Sequence, residues 1–562
     1  MNMMLSFILA LTLSTLALPM LIKHATAWGL LDVPDARKRH VGLVPRVGGL
    51  AIAMGTLLSA ALWSFGDSTY VGFLIGSFVI VLFGLLDDRS NLDYRLKFAG
   101  QTVAALIVIG FGIRLTALPF LGGDMIPAIL IVLTVIFLLA STNAFNLLDG
   151  LDGLAAGCGI LSLAAIGVLA LMSPEGGSVV FIAAAALGGI LGFLRYNTHP
   201  AIVYMGDAGS QFLGFAIGAL AILLIEGSGG RLSPALALPV LGLPVLDTAL
   251  VMAARIREGR SPFSPDRNHI HHRLLARGLS HREAVAAIYL AQTMLVISAI
   301  IFRNESDLVI VSAYAAVCLM CGTGYLLLRR RTRAVGTPSR AADIASGSEV
   351  PRMSLRVESL RVWLVRYIAA SLIAYLLAGA VILDSATIDI GIIALASAAL
   401  AVALGFWSRM AMISGRLTSY LAVISISYLS ALNPDLAWVN SIYFYVWLAS
   451  IAVAMALVMA SRARKLFNPS PQDLLAVLVV LAIVALPAII TDQPVIASGA
   501  VRALVFLYAC EVLITVRPSR ATVLGLIGAT SLALLAMFHG IPDVETPEEI
   551  GDVAGKANHE GM

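Results

Sequence analysis

Charged side chains are scarce in this 562-residue chain. Asp, Glu, Lys and Arg make up 12% of it, about half the usual share of a soluble globular protein. Apolar residues make up 59%, and the mean hydropathy is +0.93. A single soluble core stops growing near about 250–300 residues. No soluble arrangement hides this much apolar surface, so the chain reads as a multi-span membrane protein, and a disordered chain and a coiled coil are excluded. Cysteine is scarce too. The four cysteines, Cys158, Cys318, Cys321 and Cys510, all lie in apolar stretches and exclude a disulfide scaffold. Cys318 and Cys321 form a C-x-x-C with no second pair to complete a zinc site, and read as packing residues. The N-terminus lacks both a basic n-region and a small-residue cleavage site. MNMMLSFILALTLSTLALPMLI therefore reads as a retained first span. The net charge of +4 is small, and no nucleic-acid partner is expected.

A spanning helix needs about 20 mostly apolar residues. Eleven stretches before residue 330 qualify, near 3–22, 47–65, 69–86, 97–113, 124–141, 157–172, 178–194, 208–226, 234–254, 284–302 and 308–328. With the N-terminus outside, the inner loops hold twenty Lys and Arg residues and the outer loops three, Arg114, Arg231 and Arg303. This is a clean positive-inside pattern, and one missed helix would scramble it. Residues 331–360 are polar, basic and rich in Ser, Pro and Gly, and read as a cytoplasmic linker. About seven more spans follow, near 361–383, 388–408, 417–432, 438–460, 473–490, 496–516 and 521–538, with an acidic tail at 541–562 placed outside. The expectation is an all-α integral membrane fold. It has about eleven transmembrane helices in a domain covering 1–330 and about seven in a C-terminal membrane domain covering 361–540.

Five polar segments fall in successive inner loops of the first domain. They are GLLDVPDARKRHVGLVPRVGG at 29–49, GLLDDRSNLDYRLKFAGQ at 84–101, STNAFNLLDGLDGLAAG at 141–157, YMGDAGSQFLGF at 204–215 and GRSPFSPDRNHIHHRLLARGLS at 259–280. They bring Asp87, Asp88, Lys97, Asn143, Asn146, Asp149, Asp152, Asp207, His269, His271, His272 and Arg273 to one face. Carboxylates and amide oxygens suit a hard cation such as Mg²⁺, which takes one or two carboxylates plus phosphate oxygens. Cationic side chains and histidines suit phosphate. The set suggests a metal–diphosphate site, and ionisable groups at a bilayer edge are functional candidates by default. Each segment has a plainer reading when taken singly. The acidic pair could end a helix in water, NAFNLLDGLDG could be two helix caps, and the histidines could be a solvated loop or a zinc site. Their coincidence on one face, in one order, favours function.

The order and wording of these segments resemble the polyprenyl-phosphate N-acetylhexosamine-1-phosphate transferases, over about residues 1–330. The family's acidic pair appears at Asp87–Asp88, its Asn-Asp loop as NAFNLLDGLDG, its third signature as MGDAGS and its histidine signature as PDRNHIHH. SPFSPDR and DVPDARKRH look closest to the undecaprenyl-phosphate GlcNAc-1-phosphate branch (WecA-type). The resemblance implies an enzyme, a phosphotransferase. It moves a UDP-N-acetylhexosamine's sugar phosphate, GlcNAc-1-phosphate by preference, onto undecaprenyl phosphate with release of UMP. Asp207 and Asn146 then correspond to ligands of Mg²⁺, for which Mn²⁺ is an expected substitute. Asp87 or Asp88 serves the carrier phosphate, as positioner or base, and Asp149 is grouped with them as catalytic. Lys97, Asn143, His269, His271, His272 and Arg273 bind substrate. Asp152 and Tyr204 correspond to residues that contact and stack on uracil.

The implied partners are the nucleotide sugar, the prenyl phosphate and membrane lipid, with a homodimer and downstream glycosyltransferases as further candidates. The implied location is the bacterial inner membrane, active site facing the cytoplasm and acidic tail outside, in cell-surface polysaccharide synthesis. The same chemistry on another UDP-N-acetylhexosamine or on UDP-MurNAc-pentapeptide, and a lipid-linked-sugar transporter, are the alternatives. A transporter is disfavoured because alternating access puts polar sites near the midplane. The second half shows no such constellation. Arg502 and Glu511 share one apolar stretch there and are expected to have separate partners.

Overall fold

The structure is a computed structural model. It describes residues 2–32, 43–62, 67–122, 125–173, 176–261, 268–334, 355–382, 411–432, 441–460, 475, 494–516 and 520–539. The basic run at 37–40, the SPFSPDR stretch but for its first residue, most of the linker, the expected spans at 388–408 and 473–490 (but for residue 475) and the acidic tail lie outside them. Backbone proximity divides the chain into two compact units, Met1–Ser348 with Pro469–Thr491, and Glu349–Asn468 with Asp492–Met562.

The first unit is built from α1 (Asn2–Trp28), α2 (Gly48–Ala61), α3 (Ser68–Ser90), α4 (Tyr94–Gly110), α5 (Pro127–Leu148), α6 (Leu154–Leu171), α7 (Gly177–Leu194), α8 (Gly206–Gly227), α9 (Ala237–Arg257), the short α10 (Ile270–Leu275), α11 (His281–Ile301) and α12 (Asp307–Ala334). Among the described residues, ten helices are long and apolar enough to cross a membrane, nine of them in this unit. The two other expected spans of the first unit are shorter. α2 has 14 residues and α4 has 17, about 21 and 25 Å of helix at 1.5 Å per residue. A two-stranded antiparallel pair, β1 (Leu31–Asp32) and β2 (Val44–Pro45), joins α1 to α2.

α8 is the axis of this unit. It packs against α2, α3, α5 and α6, and nearly all its residues are buried. Its sequence, GDAGSQFLGFAIGALAILLIEG, supplies the small residues that let helices approach closely in lipid, where no hydrophobic effect drives them together. A Cβ at Gly49 would strike the backbone of Gly209, and one at Gly84 would meet Cα of Ala208 at 2.5 Å. These contacts seat α2 and the end of α3 on the first turn of α8. α9 is kinked at Gly242, whose φ of 52° lies in the left-handed region, two residues before Pro244. The freed backbone is re-satisfied from a neighbouring helix, because the Leu243 N–H donates to Gln292 Oε1 at 2.9 Å. By contrast the described side chains of α12 are almost all partly or fully exposed.

In the second unit the described helices are Leu355–Ile382, Ala411–Leu432, Ile442–Ala460, Pro494–Val516 and Arg520–His539. Their core stacks Tyr375 on Phe506 with ring centroids 3.9 Å apart. Arg502 is fully buried there, donating to Ser430 Oγ at 3.2 Å and lying 5.5 Å over the Phe444 ring. The side chain of Glu511 lies outside the described residues.

Candidate functional site

The site is assembled at the first turn of α8. MGDAGS enters the helix through Gly206 at φ 72°, a conformation that L side chains rarely adopt. The turn leaves the first amides of α8 open, and these face the last turn of α3. Asp88 Oδ1 accepts the N–H of Asp207 at 2.9 Å, and Oδ2 accepts the N–H of Ala208 at 3.0 Å. A carboxylate on a helix N-terminus satisfies orphan donors and complements the dipole. A Cβ at Gly206 would lie 2.5 Å from Asp88 Oδ2, so glycine is demanded twice, by φ and by the carboxylate. Both oxygens of Asp88 are thus engaged in joining α3 to α8.

Asp87 sits one residue earlier and is 2% exposed. Its Oδ1 accepts the Leu92 N–H at 2.9 Å, and its other oxygen contacts the Lys97 ammonium. Lys97, in the first turn of α4, also lies 3.5 Å from Asp207 Oδ2. One ammonium therefore bridges two carboxylates. Asn146, in the last turn of α5, donates to Asp207 Oδ1 and to Ser210 Oγ, both at 2.9 Å. Asn143 lies about one turn deeper, in an amide chain with Gln101 at 2.7 Å, and Gln101 reaches Gln211 at 3.0 Å. Asp149 closes α5. Burial, with the charges of Asp207, Asp88 and Asp152 beside it, pushes its carboxyl up to about 7.

The first segment reaches the same place. Arg46 pairs with Asp32 and lies 3.9 Å from Asp88 Oδ1. The Tyr204 N–H donates to the Pro45 carbonyl at 2.8 Å, and the Gly48 N–H to the Tyr204 carbonyl at 3.0 Å. The Tyr204 phenol is pushed up to about 12 by burial and by the nearby Asp152, Asp32 and Asp149. The histidine segment arrives last. His271 is 2% exposed, and a Cβ at Gly150 would strike its imidazole. Burial, then its neighbours His272 and His269, hold that ring down to about 3, so His271 is neutral and offers hydrogen bonds rather than charge. His272 and Arg273 are partly exposed on the same short helix.

All five polar segments therefore meet, although they are far apart in the chain. Three carboxylates, Asp87, Asp88 and Asp207, lie against one ammonium and one guanidinium, and the Asp149 carboxyl lies beside Asp207 and Asp88. An all-oxygen donor set with surplus negative charge is the chemistry of a hard divalent cation; Asp207 fits it as it stands, and Asn146 fits it with its amide turned so that the oxygen, in place of the NH₂ group that now meets Asp207, is presented. A separate trio is Asp152, His199 and His281, whose ligand atoms lie within 4.8 Å of one another. Asp152 Oδ2 accepts from His199 Nδ1 at 2.6 Å and from the Ala201 N–H at 3.1 Å. The two imidazoles are stacked 4.0 Å apart with planes 17° from parallel.

Sequence reasoning passed over Gln101, Gln211, His199, His281 and Asp247. The amides carry no signal at sequence level. Asp247 carried one, as an acid inside an apolar run. His269 Nδ1 lies 2.9 Å from Asp247 Oδ2.

Residues 70–225 match the family profile described as Glycosyl transferase family 4. The chain is 36% identical over 312 residues to a probable undecaprenyl-phosphate N-acetylglucosaminyl 1-phosphate transferase of Bacillus subtilis, covering 54% of this chain and 85% of that protein. It is 37% identical over 342 residues to a decaprenyl-phosphate N-acetylglucosaminephosphotransferase of Mycolicibacterium smegmatis, covering 54% and 84%. It is 33% identical over 281 residues to the undecaprenyl-phosphate alpha-N-acetylglucosaminyl 1-phosphate transferase of Escherichia coli K12, covering 49% and 76%.

Proposed function

The chain belongs to glycosyl transferase family 4 and is a multi-pass membrane phosphotransferase, and from that premise we propose the reaction it performs. It transfers GlcNAc-1-phosphate from UDP-GlcNAc to a polyprenyl phosphate, undecaprenyl phosphate by preference. An oxygen of the carrier phosphate attacks the phosphorus next to the sugar, the bond to the UMP oxygen breaks, and the sugar remains on a lipid diphosphate. The observation that carries this reading is the joint held by Asp88 between α3 and α8. It puts Asp87, Lys97, Asn146 and Asp207 around one point. Phosphoryl transfer asks for little besides positioning and charge neutralisation, and this cluster offers both.

The residues take distinct parts. Asp207 and the Asn146 amide would hold Mg²⁺, with Mn²⁺ as substitute, and would thereby supply charge neutralisation at the nucleotide diphosphate. Lys97 is the group that exchanges a carboxylate partner for phosphate when substrate enters. Asp87 faces the carrier phosphate, which is already mostly ionised near neutral pH, so it positions rather than deprotonates. Asp88 orients the α8 amides. Asp152 and Tyr204 meet the uracil, and His272 and Arg273, the partly exposed members of their helix, reach phosphate or sugar. The site faces the cytoplasm of a bacterial inner membrane, where it initiates a surface polysaccharide.

The test is purified protein with Mg²⁺, a short prenyl phosphate and a panel of UDP-sugars. UMP release without any membrane gradient, fastest with UDP-GlcNAc, is expected. Equal rates with UDP-GalNAc or UDP-MurNAc-pentapeptide overturn the sugar assignment, and no release with any donor overturns the reaction.

A further inference from the structure

α9 carries a carboxylate within its apolar run. Asp247 is 8% exposed, and an ionisable group in a spanning helix is costly unless it is partnered. Here it has two partners from one distant segment. Oδ1 accepts the backbone N–H of Ile270 at 2.9 Å, and Oδ2 pairs with His269 Nδ1 at 2.9 Å. Ile270 is the first residue of α10. His269 is its N-cap, and its own side chain caps nothing. The cap is therefore supplied by another helix, 22 residues earlier than His269.

The pairing also decides the state of the ring. A carboxylate only accepts, so Nδ1 of His269 carries the proton, and in the neutral ring Nε2 is left as an acceptor. The consequences run along the short helix. His271 stacks 6.0 Å from His269 with planes 9° from parallel. On its other side the His271 imidazole fills the space where a Cβ of Gly150 would stand, next to Asp149. Asp247, His269, His271 and Gly150 of the loop after α5 thus form one packed series.

We propose that Asp247 is a positioning residue for the transfer reaction. It fixes the tautomer of His269 and docks the first turn of α10 against the acidic loop. This rests on the transferase reading above. Asp247 touches no reacting group itself and acts through His269 and the α10 backbone.

The test is a double-mutant cycle in the full chain, read as UMP release from UDP-GlcNAc and a short prenyl phosphate. Asp247→Asn retains an acceptor for the Ile270 N–H but presents an NH₂ group to Nδ1, so the ring must take its other tautomer. Partners of metal-ligating histidines are worth on the order of 10–100-fold; His269 holds no metal, so a kcat loss of about 10-fold, the lower end of that range, is expected at an unchanged melting temperature. Asp247→Glu, which keeps the charge, recovers part of it. His269→Gln combined with Asp247→Asn is no worse than His269→Gln alone, because the two residues act as one. Additive losses, or wild-type kcat in Asp247→Asn, overturn the assignment. So does a kcat loss that follows the melting temperature across the Asn and Glu variants. Wild-type protein that releases no UMP overturns the transferase reading itself, which separates that failure from additive losses in an active enzyme.

Discussion

Asp88→Asn isolates the joint on which the site depends. The amide is nearly the shape of the carboxylate, so the core around it is undisturbed. It has one acceptor oxygen where Asp88 uses two, on the N–H groups of Asp207 and Ala208. One of those amides must then face an NH₂ group. A buried donor left unmade costs about 1–3 kcal/mol, and losing the anion at the helix N-terminus costs about 0.3–1 kcal/mol more. Together this is about 1.3–4 kcal/mol. Each factor of ten in rate corresponds to about 1.4 kcal/mol. If the joint serves to hold Asp207 in place, kcat should fall by about 10- to 1000-fold. The assay is Mg²⁺-dependent UMP release, with thermal unfolding recorded on the same sample. Gly206→Ala is the control, because its Cβ would crowd Asp88 Oδ2 at 2.5 Å without removing the carboxylate. A docking role makes the two variants alike. Turnover within twofold of wild type in folded Asp88→Asn would falsify the joint. A total loss there with normal turnover in Gly206→Ala would make Asp88 a chemical participant instead.

Other outcomes follow from the same geometry. Asp207→Asn removes a negative ligand and should cut turnover by orders of magnitude in a protein that still inserts and folds; Asn146→Ala should raise the Mg²⁺ concentration needed for half-maximal rate, measured by titrating the metal. Asp149 has its pKa raised to about 7, so the folded state holds a proton that the unfolded chain releases above its ordinary value near about 3.9. Stability from this group is present below that value and is lost as pH rises through 7. In EDTA, Asp149→Asn should therefore melt above wild type at pH 8 and level with it at acidic pH, and an equal difference at both would refute the shift. A chain shortened after residue 340 should keep sugar-phosphate transfer, because every proposed site residue precedes it; since the cut also removes Pro469–Thr491 of the first unit, a folded but inactive product would give the residues beyond 340, of either unit, a part in the activity.

The sequence by itself determined that this is a membrane protein, and where most of its helices in the first unit run. In lipid every backbone polar group must be satisfied within the segment, so about 20 apolar residues are close to a sufficient signal. It also marked Asp87, Asp88, Asn146, Asp149, Asp207 and the histidine segment, because polar residues at a bilayer edge stand out against an apolar background. Only the tertiary structure decided what each of them does to the others. Nothing local distinguishes Asp87, which meets Lys97, from Asp88, which caps a helix more than a hundred residues away. That difference comes from Gly84 and Gly49, which let α3 and α2 close on the start of α8. Asn143 and Asn146 differ by one turn of α5, and so one joins the Gln101 amide chain while the other joins Asp207. Asp247 shows the limit most plainly. Its charge was legible inside the apolar run of α9, but its partners were not, because a carboxylate buried in a helix is matched by whichever segment the packing brings to it, here the histidine helix.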